Sequence, residues 1–260
     1  MRNIKSGVLI IYGQIVKGPQ KTECEDSAFI YLKDSAPIFL NESRFEYDVK
    51  LPFAIGLADG VGGNPGGRRA STFAVKAFSQ KISSFNISEE ESSSSLKDVN
   101  SQLISYANEI SGCEQMATTF TAMIISAEKG IFAHAGNTRI CQLNGSYLKQ
   151  LTDDHTMYQY LLDTGNFEGA ENCNRNMINS CLGGGRDDYL RNLDVKAFYE
   201  EKIPSGFIMT SDGIHEYVDL DFLEDTLSRS DITELDKTDL IIKEALKNNS
   251  EDDKSIVIIK

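Results

Sequence analysis

Phe53-Ala54-Ile55-Gly56-Leu57-Ala58-Asp59-Gly60-Val61-Gly62-Gly63 is the stretch whose reading decides the fold. Its six leading apolar residues are too few for a helix and suit a strand buried on both faces. Asp59 follows at the strand's end, so a carboxylate is delivered on a rigid support. Gly60 lets the backbone approach a bound ion closely and offers its carbonyl oxygen as a ligand. Asp-Gly alone is equally an ordinary turn.

Working outward, β-branched and apolar runs at 7–16, 119–126, 131–135 and 207–210 predict further strands. Helical periodicity covers 68–81, 96–110, 157–164 and 237–248. Helices fall between groups of strands rather than after each one, which predicts an α+β fold with largely antiparallel sheets. Residues 83–95, rich in serine with Glu89, Glu90 and Glu91, read as an exposed connection and leave room for a regulatory serine cluster. No repeat or linker divides residues 1–260, so a single domain is expected. Arg2 and Lys5 precede an apolar stretch interrupted by Gly13 and Gln14, which reads as a first strand rather than a signal peptide.

Composition narrows the function. Hydrophobic residues make up 40% and charged residues 25%, the balance of a soluble globular chain. The longest apolar runs fall far short of the roughly 20 residues that cross a bilayer. A formal charge of −13 repels phosphate backbones and anionic lipid, which argues against nucleic acid and membrane as partners. The 5 cysteines contain no CxxC pair, so a reducing cytoplasm fits better than a disulfide framework or a zinc cluster.

The strand-end carboxylate recurs. Ser211-Asp212-Gly213 follows a second apolar run, Asp252-Asp253 precedes a terminal strand-like run from Ser255, and Glu25-Asp26 precedes Ser27-Ala28-Phe29-Ile30. Converging carboxylates repel unless a cation or proton compensates them, and an oxygen-only set favours magnesium or manganese over zinc. Two such ions about 4 Å apart can share and activate a water.

With Met116-Ala117-Thr118-Thr119, Gly136-Asn137-Thr138-Arg139, Leu151-Thr152-Asp153-Asp154-His155-Thr156, Arg175-Asn176-Met177-Ile178 and Leu182-Gly183-Gly184 between them, these motifs stand in family order. The chain resembles the type 2C metal-dependent serine/threonine phosphatases, the PPM family, in the form of a bacterial single-domain member. The resemblance implies a four-layer α-β-β-α sandwich: two central antiparallel sheets flanked by helices, with a dimetal site at one end. It implies that Asp59 bridges two Mn2+ or Mg2+ ions, that Asp212 and Asp252 complete one ion's protein ligands, and that Glu25 and the Gly60 carbonyl serve the other. Asp26 would hold ligands and water from behind, and Lys21 would take the place of a phosphate-binding arginine. Hydrolysis of phosphoserine and phosphothreonine in proteins by a metal-bridging hydroxide follows, opposing a serine/threonine kinase.

Four departures soften the catalytic expectation. Cys24 stands where relatives have Asn, and Asp253 where Asn usually follows the metal-binding Asp. Asn137 replaces an Asp, which weakens a third ion near Asn137 and Glu216. Val61 replaces a His read as a general acid in some relatives. A catalytically weak or inactive phosphoprotein-binding module is therefore the alternative, although retention of Glu25, Asp59, Asp212 and Asp252 argues against it. His155 reads as structural, and His134 and His215 more so. The segment 163–191 overlaps the family's flap and is either a substrate selector or a surface loop. Cys181-Leu182-Gly183-Gly184-Gly185-Arg186 superficially suggests a cysteine phosphatase, but it has four residues between Cys and Arg where that phosphate loop needs five.

Overall fold

The computed structural model describes residues 8–62, 65–82, 88–199 and 206–260. Residues 1–7, Gly63 of the glycine-rich turn and residues 83–87 of the expected connection lie outside that range. The first part of the chain forms β1 (Leu9–Val16), β2 (Ser27–Leu32), β3 (Ile38–Leu40), β4 (Ser43–Val49), β5 (Phe53–Ala58), α1 (Gly67–Lys81) and α2 (Glu89–Asn108). Next come β6 (Ala117–Thr118), β7 (Phe120–Ile125), β8 (Lys129–Ala135), β9 (Arg139–Asn144), β10 (Tyr147–Gln150), α3 (Met157–Asp163) and α4 (Phe167–Asn172). The remainder forms β11 (Leu182–Gly183), β12 (Asp194–Tyr199), β13 (Gly206–Thr210), α5 (Asp212–His215), α6 (Leu220–Ser228), α7 (Glu234–Lys247) and β14 (Lys254–Ile259).

Two six-stranded sheets run β10-β9-β13-β14-β1-β4 and β12-β8-β7-β5-β2-β3, with antiparallel pairings throughout. Side-chain alternation builds the layers. In β5, Ala54 and Ala58 face the core beneath α1 and α2, while Phe53, Ile55 and Leu57 enter the core between the sheets. In β14, Val257 and Ile259 join that central core, and Ile256 and Ile258 pack with residues of α6 and α7. The result is an α-β-β-α sandwich. Each fully buried Phe, Ile or Leu stabilises it by about 1.5–3 kcal/mol relative to exposure, so β5 is a stiff platform for Asp59.

One expectation needs correction, and one segment gains detail. The stretch 89–95 is helix rather than loop. Ser88 accepts the Glu91 N–H at 3.1 Å, and the Glu91 carboxylate accepts the Ser88 N–H at 2.7 Å, so a capping box starts α2 at Glu89. Glu89, Glu90 and Glu91 sit at the positive end of its dipole. The glycine-rich end of 163–191 is anchored on its inner side. Cys181, Leu182 and Gly183 are buried, β11 pairs with β6, and the Gly183 N–H donates to Asn100 Oδ1 at 2.8 Å.

Candidate metal centre

Each sheet sends two strand ends to one site. Ser27 pairs with Ala58, which sets Glu25 and Asp26 ahead of β2 beside Asp59 after β5. In the other sheet, Thr210 pairs with Ile256, which brings Asp212 after β13 to Asp252 and Asp253 ahead of β14.

The backbone at Asp59 is fixed by hydroxyls and strand bonds. Its N–H donates to Thr119 Oγ1 at 3.0 Å, and its carbonyl accepts the Thr118 hydroxyl and the Thr119 N–H, both at 2.8 Å. The next two amides continue the zipper: Gly60 N–H to the Glu25 carbonyl at 3.2 Å, and Val61 N–H to the Ala117 carbonyl at 3.0 Å. Gly60 is required by close approach, because a Cβ there would lie 2.4 Å from the Gly67 backbone at the start of α1. Gly213 is required in the same way, a Cβ lying 1.9 Å from the Asp253 carbonyl.

The side chains are held less completely. Asp26 Oδ2 accepts the Ser211 and Ser255 hydroxyls at 2.9 and 2.5 Å, but its Oδ1 has no partner. Asp212 Oδ2 accepts the Asn137 amide at 3.1 Å, while Asp212 Oδ1 and Asn137 Oδ1 are likewise buried without a hydrogen bond. Burial pushes the Asp26 carboxyl up to about 7. Burial, followed by repulsion from Asp26, Asp212 and Asp252, holds Asp59 well above the ordinary carboxylate range. Asp212 is raised by burial and by Asp252. Orphaned oxygens on mutually repelling carboxylates are what a hard, oxygen-seeking divalent cation would complete, so the set fits Mg2+ or Mn2+.

Lys21 lies among the carboxylates. Its ammonium bonds Glu25 Oε2 at 3.1 Å and Asp253 Oδ2 at 3.0 Å, and also pairs with Asp252. Burial opposes its charge, yet hydrogen bonds to Asp252 and Asp253 hold its pKa above that of an ordinary lysine. Asp253 has a role that its sequence position did not disclose. Its Oδ1 accepts the Gly18 N–H at 2.8 Å and its Oδ2 accepts the Glu25 N–H at 2.7 Å. One buried side chain thus ties the β1–β2 loop, with Lys21 and Glu25, to the start of β14. Ser211 and Ser255 were missed similarly, and their positions directly before Asp212 and at the start of the last strand were the available signal.

The chain matches the family Protein phosphatase 2C over residues 44–248. It belongs to that family. The match includes Asp59, Asn137 and Asp212, whereas Lys21, Glu25, Asp26 and Asp252 lie outside it. The chain is 28% identical over 232 residues to the serine/threonine phosphatase stp of Listeria welshimeri, covering 85% of this chain and 88% of that one. Its fold is that of the Staphylococcus aureus serine/threonine phosphatase Stp1, with a TM-score of 0.80 at 22% identity over 96% of this chain and 93% of that one. The catalytic domain of the serine/threonine protein phosphatase PstP, solved in complex with 2 manganese ions, is similar at a TM-score of 0.74 and 21% identity, covering 97% and 98%.

In this type 2C chain, His134 and His155 are already partnered. His134 bonds the Thr121 hydroxyl at 2.7 Å and the Asp153 carbonyl at 3.0 Å. His155 bonds the Gly136 N–H at 3.2 Å and Asp194 at 3.3 Å. Burial drives the His134 pKa down to about 3, which keeps the ring neutral. Asp154, His215 and Glu216 also converge, with the buried His215 Nε2 left without a hydrogen bond; Arg139 offsets part of their charge, forking onto Asp154 and reaching Glu216 at 3.7 Å. Cys181 is buried and its thiol is pushed up to about 11 by that burial, the opposite of an activated nucleophile.

Proposed function

We infer that this chain is a metal-dependent protein serine/threonine phosphatase acting on phosphorylated proteins in the cytoplasm, opposed to a serine/threonine kinase. The observation that carries the reading is the set of buried, mutually repelling carboxylates from both sheets around Asp59, with orphaned oxygens on Asp26 and Asp212. Among the described residues no helix is long and apolar enough to cross a membrane.

Asp59, Asp212, Asp252, Glu25 and the Gly60 carbonyl would hold two divalent ions. A weaker third ion would lie toward Asn137 and Glu216, where Asn137 Oδ1 and Asp212 Oδ1 are the unpartnered acceptors. Bound ions supply Lewis-acid charge and a water nucleophile for in-line attack on phosphorus. Asp26, fixed by Ser211 and Ser255, keeps one buried oxygen without a hydrogen bond and would accept a proton there. Lys21, whose ammonium pairs with Glu25, Asp252 and Asp253 in the metal-free protein, would meet the substrate phosphate as a point charge once ions take over those carboxylates, without the bidentate fork of an arginine. Val61 brings no proton to the leaving oxygen, so the reading includes a modest rate.

Phosphate release from a phosphothreonine peptide tests this. Release with Mn2+ that stops on adding EDTA is expected. No release from peptides or p-nitrophenyl phosphate at saturating Mn2+ would leave the phosphoprotein-binding module in its place.

A further inference from the structure

The outer face of α1 carries a groove that the chemistry above does not use. It is a cavity of about 400 Å3 lined by Arg68, Arg69, Phe73 and Lys76 of α1, Tyr106 of α2, and Glu23 from the β1–β2 loop. A second, open hollow continues from it along Phe73, Ser101, Ser105 and Tyr106 as far as Glu109. Phe73 and Tyr106 stack at 5.0 Å and 14°, giving the groove a flat apolar wall between the two helices.

One end of this groove abuts the metal centre. Arg68 donates to the Cys24 carbonyl at 2.7 Å, beside Glu25, and Glu23 belongs to the same loop. The stripe from Arg68 to Lys76 extends about 12 Å along the helix. That matches three or four residues of an extended peptide at about 3.3 Å each.

The charge of the groove runs against that of the molecule. In a chain of net charge −13, its first cavity presents three cations against one carboxylate. Arg68 is occupied by Cys24 and by Glu23 at 3.7 Å. Lys76 lies over the Phe39 ring at 5.8 Å, and Arg69 is exposed with no hydrogen bond or ion pair among the described residues. Arg69 and Lys76 thus carry positive charge that no carboxylate cancels, beside an apolar wall. Glu109, at the far end of the second hollow, limits the positive stretch to the half nearest the metal centre.

We propose that this groove binds the substrate chain flanking the phosphorylated residue, and that Arg69 and Lys76 select substrates with an Asp or Glu two to four residues away. The proposal rests on the phosphatase reading, and it adds a substrate class to that reading. Surface charges act mainly on encounter and on KM, each changing affinity by a few-fold.

The test compares phosphothreonine peptides carrying Asp or Lys three residues from the phosphothreonine, on wild type and on the R69E/K76E double variant. Wild type should hydrolyse the Asp peptide with about tenfold higher kcat/KM, the difference lying in KM and shrinking as salt rises. The double variant should lose or invert the preference while hydrolysing p-nitrophenyl phosphate at the wild-type rate. Fluorescence anisotropy of the same peptides on Asp59→Asn protein gives a readout independent of turnover. Equal binding of both peptides, or a preference unchanged by R69E/K76E, overturns the groove. Absence of phosphate release from every substrate strikes the phosphatase reading instead, and anisotropy still decides the groove.

Discussion

The carboxylate cluster of Asp26, Asp59 and Asp212 and the histidine network of His134, His155 and Asp194 are both substantially buried, and both are assembled from distant parts of the chain. They differ in what their atoms touch. Each ring nitrogen of His134 and His155 has a partner. In the carboxylate cluster, Asp26 Oδ1 and Asp212 Oδ1 have none, and three acids are held together against their own repulsion. A satisfied network stiffens a fold; an unsatisfied one costs stability and persists where a ligand completes it.

The sharpest way to break this contrast is Asp59→Asn. Phosphate release from a phosphothreonine peptide should fall by about a thousandfold, while the melting temperature of the metal-free protein holds or rises, because one repelling charge is gone. A stability loss as large as that of a core mutation would place Asp59 with the structural groups. Asp253→Ala should behave in the opposite manner. It strips acceptors from Gly18 and Glu25, costs about 3 kcal/mol in urea unfolding, and weakens Mn2+ binding through the displaced Glu25. Asp253→Asn keeps one acceptor and should cost about half as much.

pH separates the two regions by sign. The raised carboxyls stabilise the metal-free fold fully below about pH 4, and that contribution is lost as pH rises through about 7, the folded value of Asp26. His134, held down to about 3, contributes stability above about pH 6.5 that is lost as pH falls toward 3. Mn2+ competes with the carboxyl protons, so its stabilisation should grow between pH 5 and 7. At a hundredfold excess over Kd the gain is about 2.7 kcal/mol, or roughly 5–10 °C in Tm. Melting scans with Mn2+ and with EDTA across that range read it directly, and a pH-independent gain would contradict it. Arg139→Met should cost about 2 kcal/mol by stranding Asp154, with Mn2+ affinity unchanged. Cys181→Ser should change turnover by less than about twofold, since its raised thiol pKa marks an inert group.

How much of this is legible in the chain depends on the range of the interaction. The β5 boundaries and the strand-end aspartates are written locally, as an apolar run followed by Asp-Gly, and the structure places β5 at Phe53–Ala58. The start of α2 was also written locally, as Ser88 and Glu91 at capping-box spacing, but the serines that follow have weak helix propensity and hid it. In β4, Phe45 and Val49 are buried while Arg44, Glu46 and Asp48 are not, an alternation too short and too charged to stand out. Asp253 could not be read at all, because its value lies in two amides more than 200 residues away in sequence, at 235 and 228.

Calorimetric titration of the metal-free protein with Mn2+ near pH 7.5 tests the central claim most directly. Wild type should bind two ions, and Asp59→Asn at most one, with protons released on binding. An identical isotherm for both proteins would contradict the assignment of the orphaned carboxylates to a metal centre.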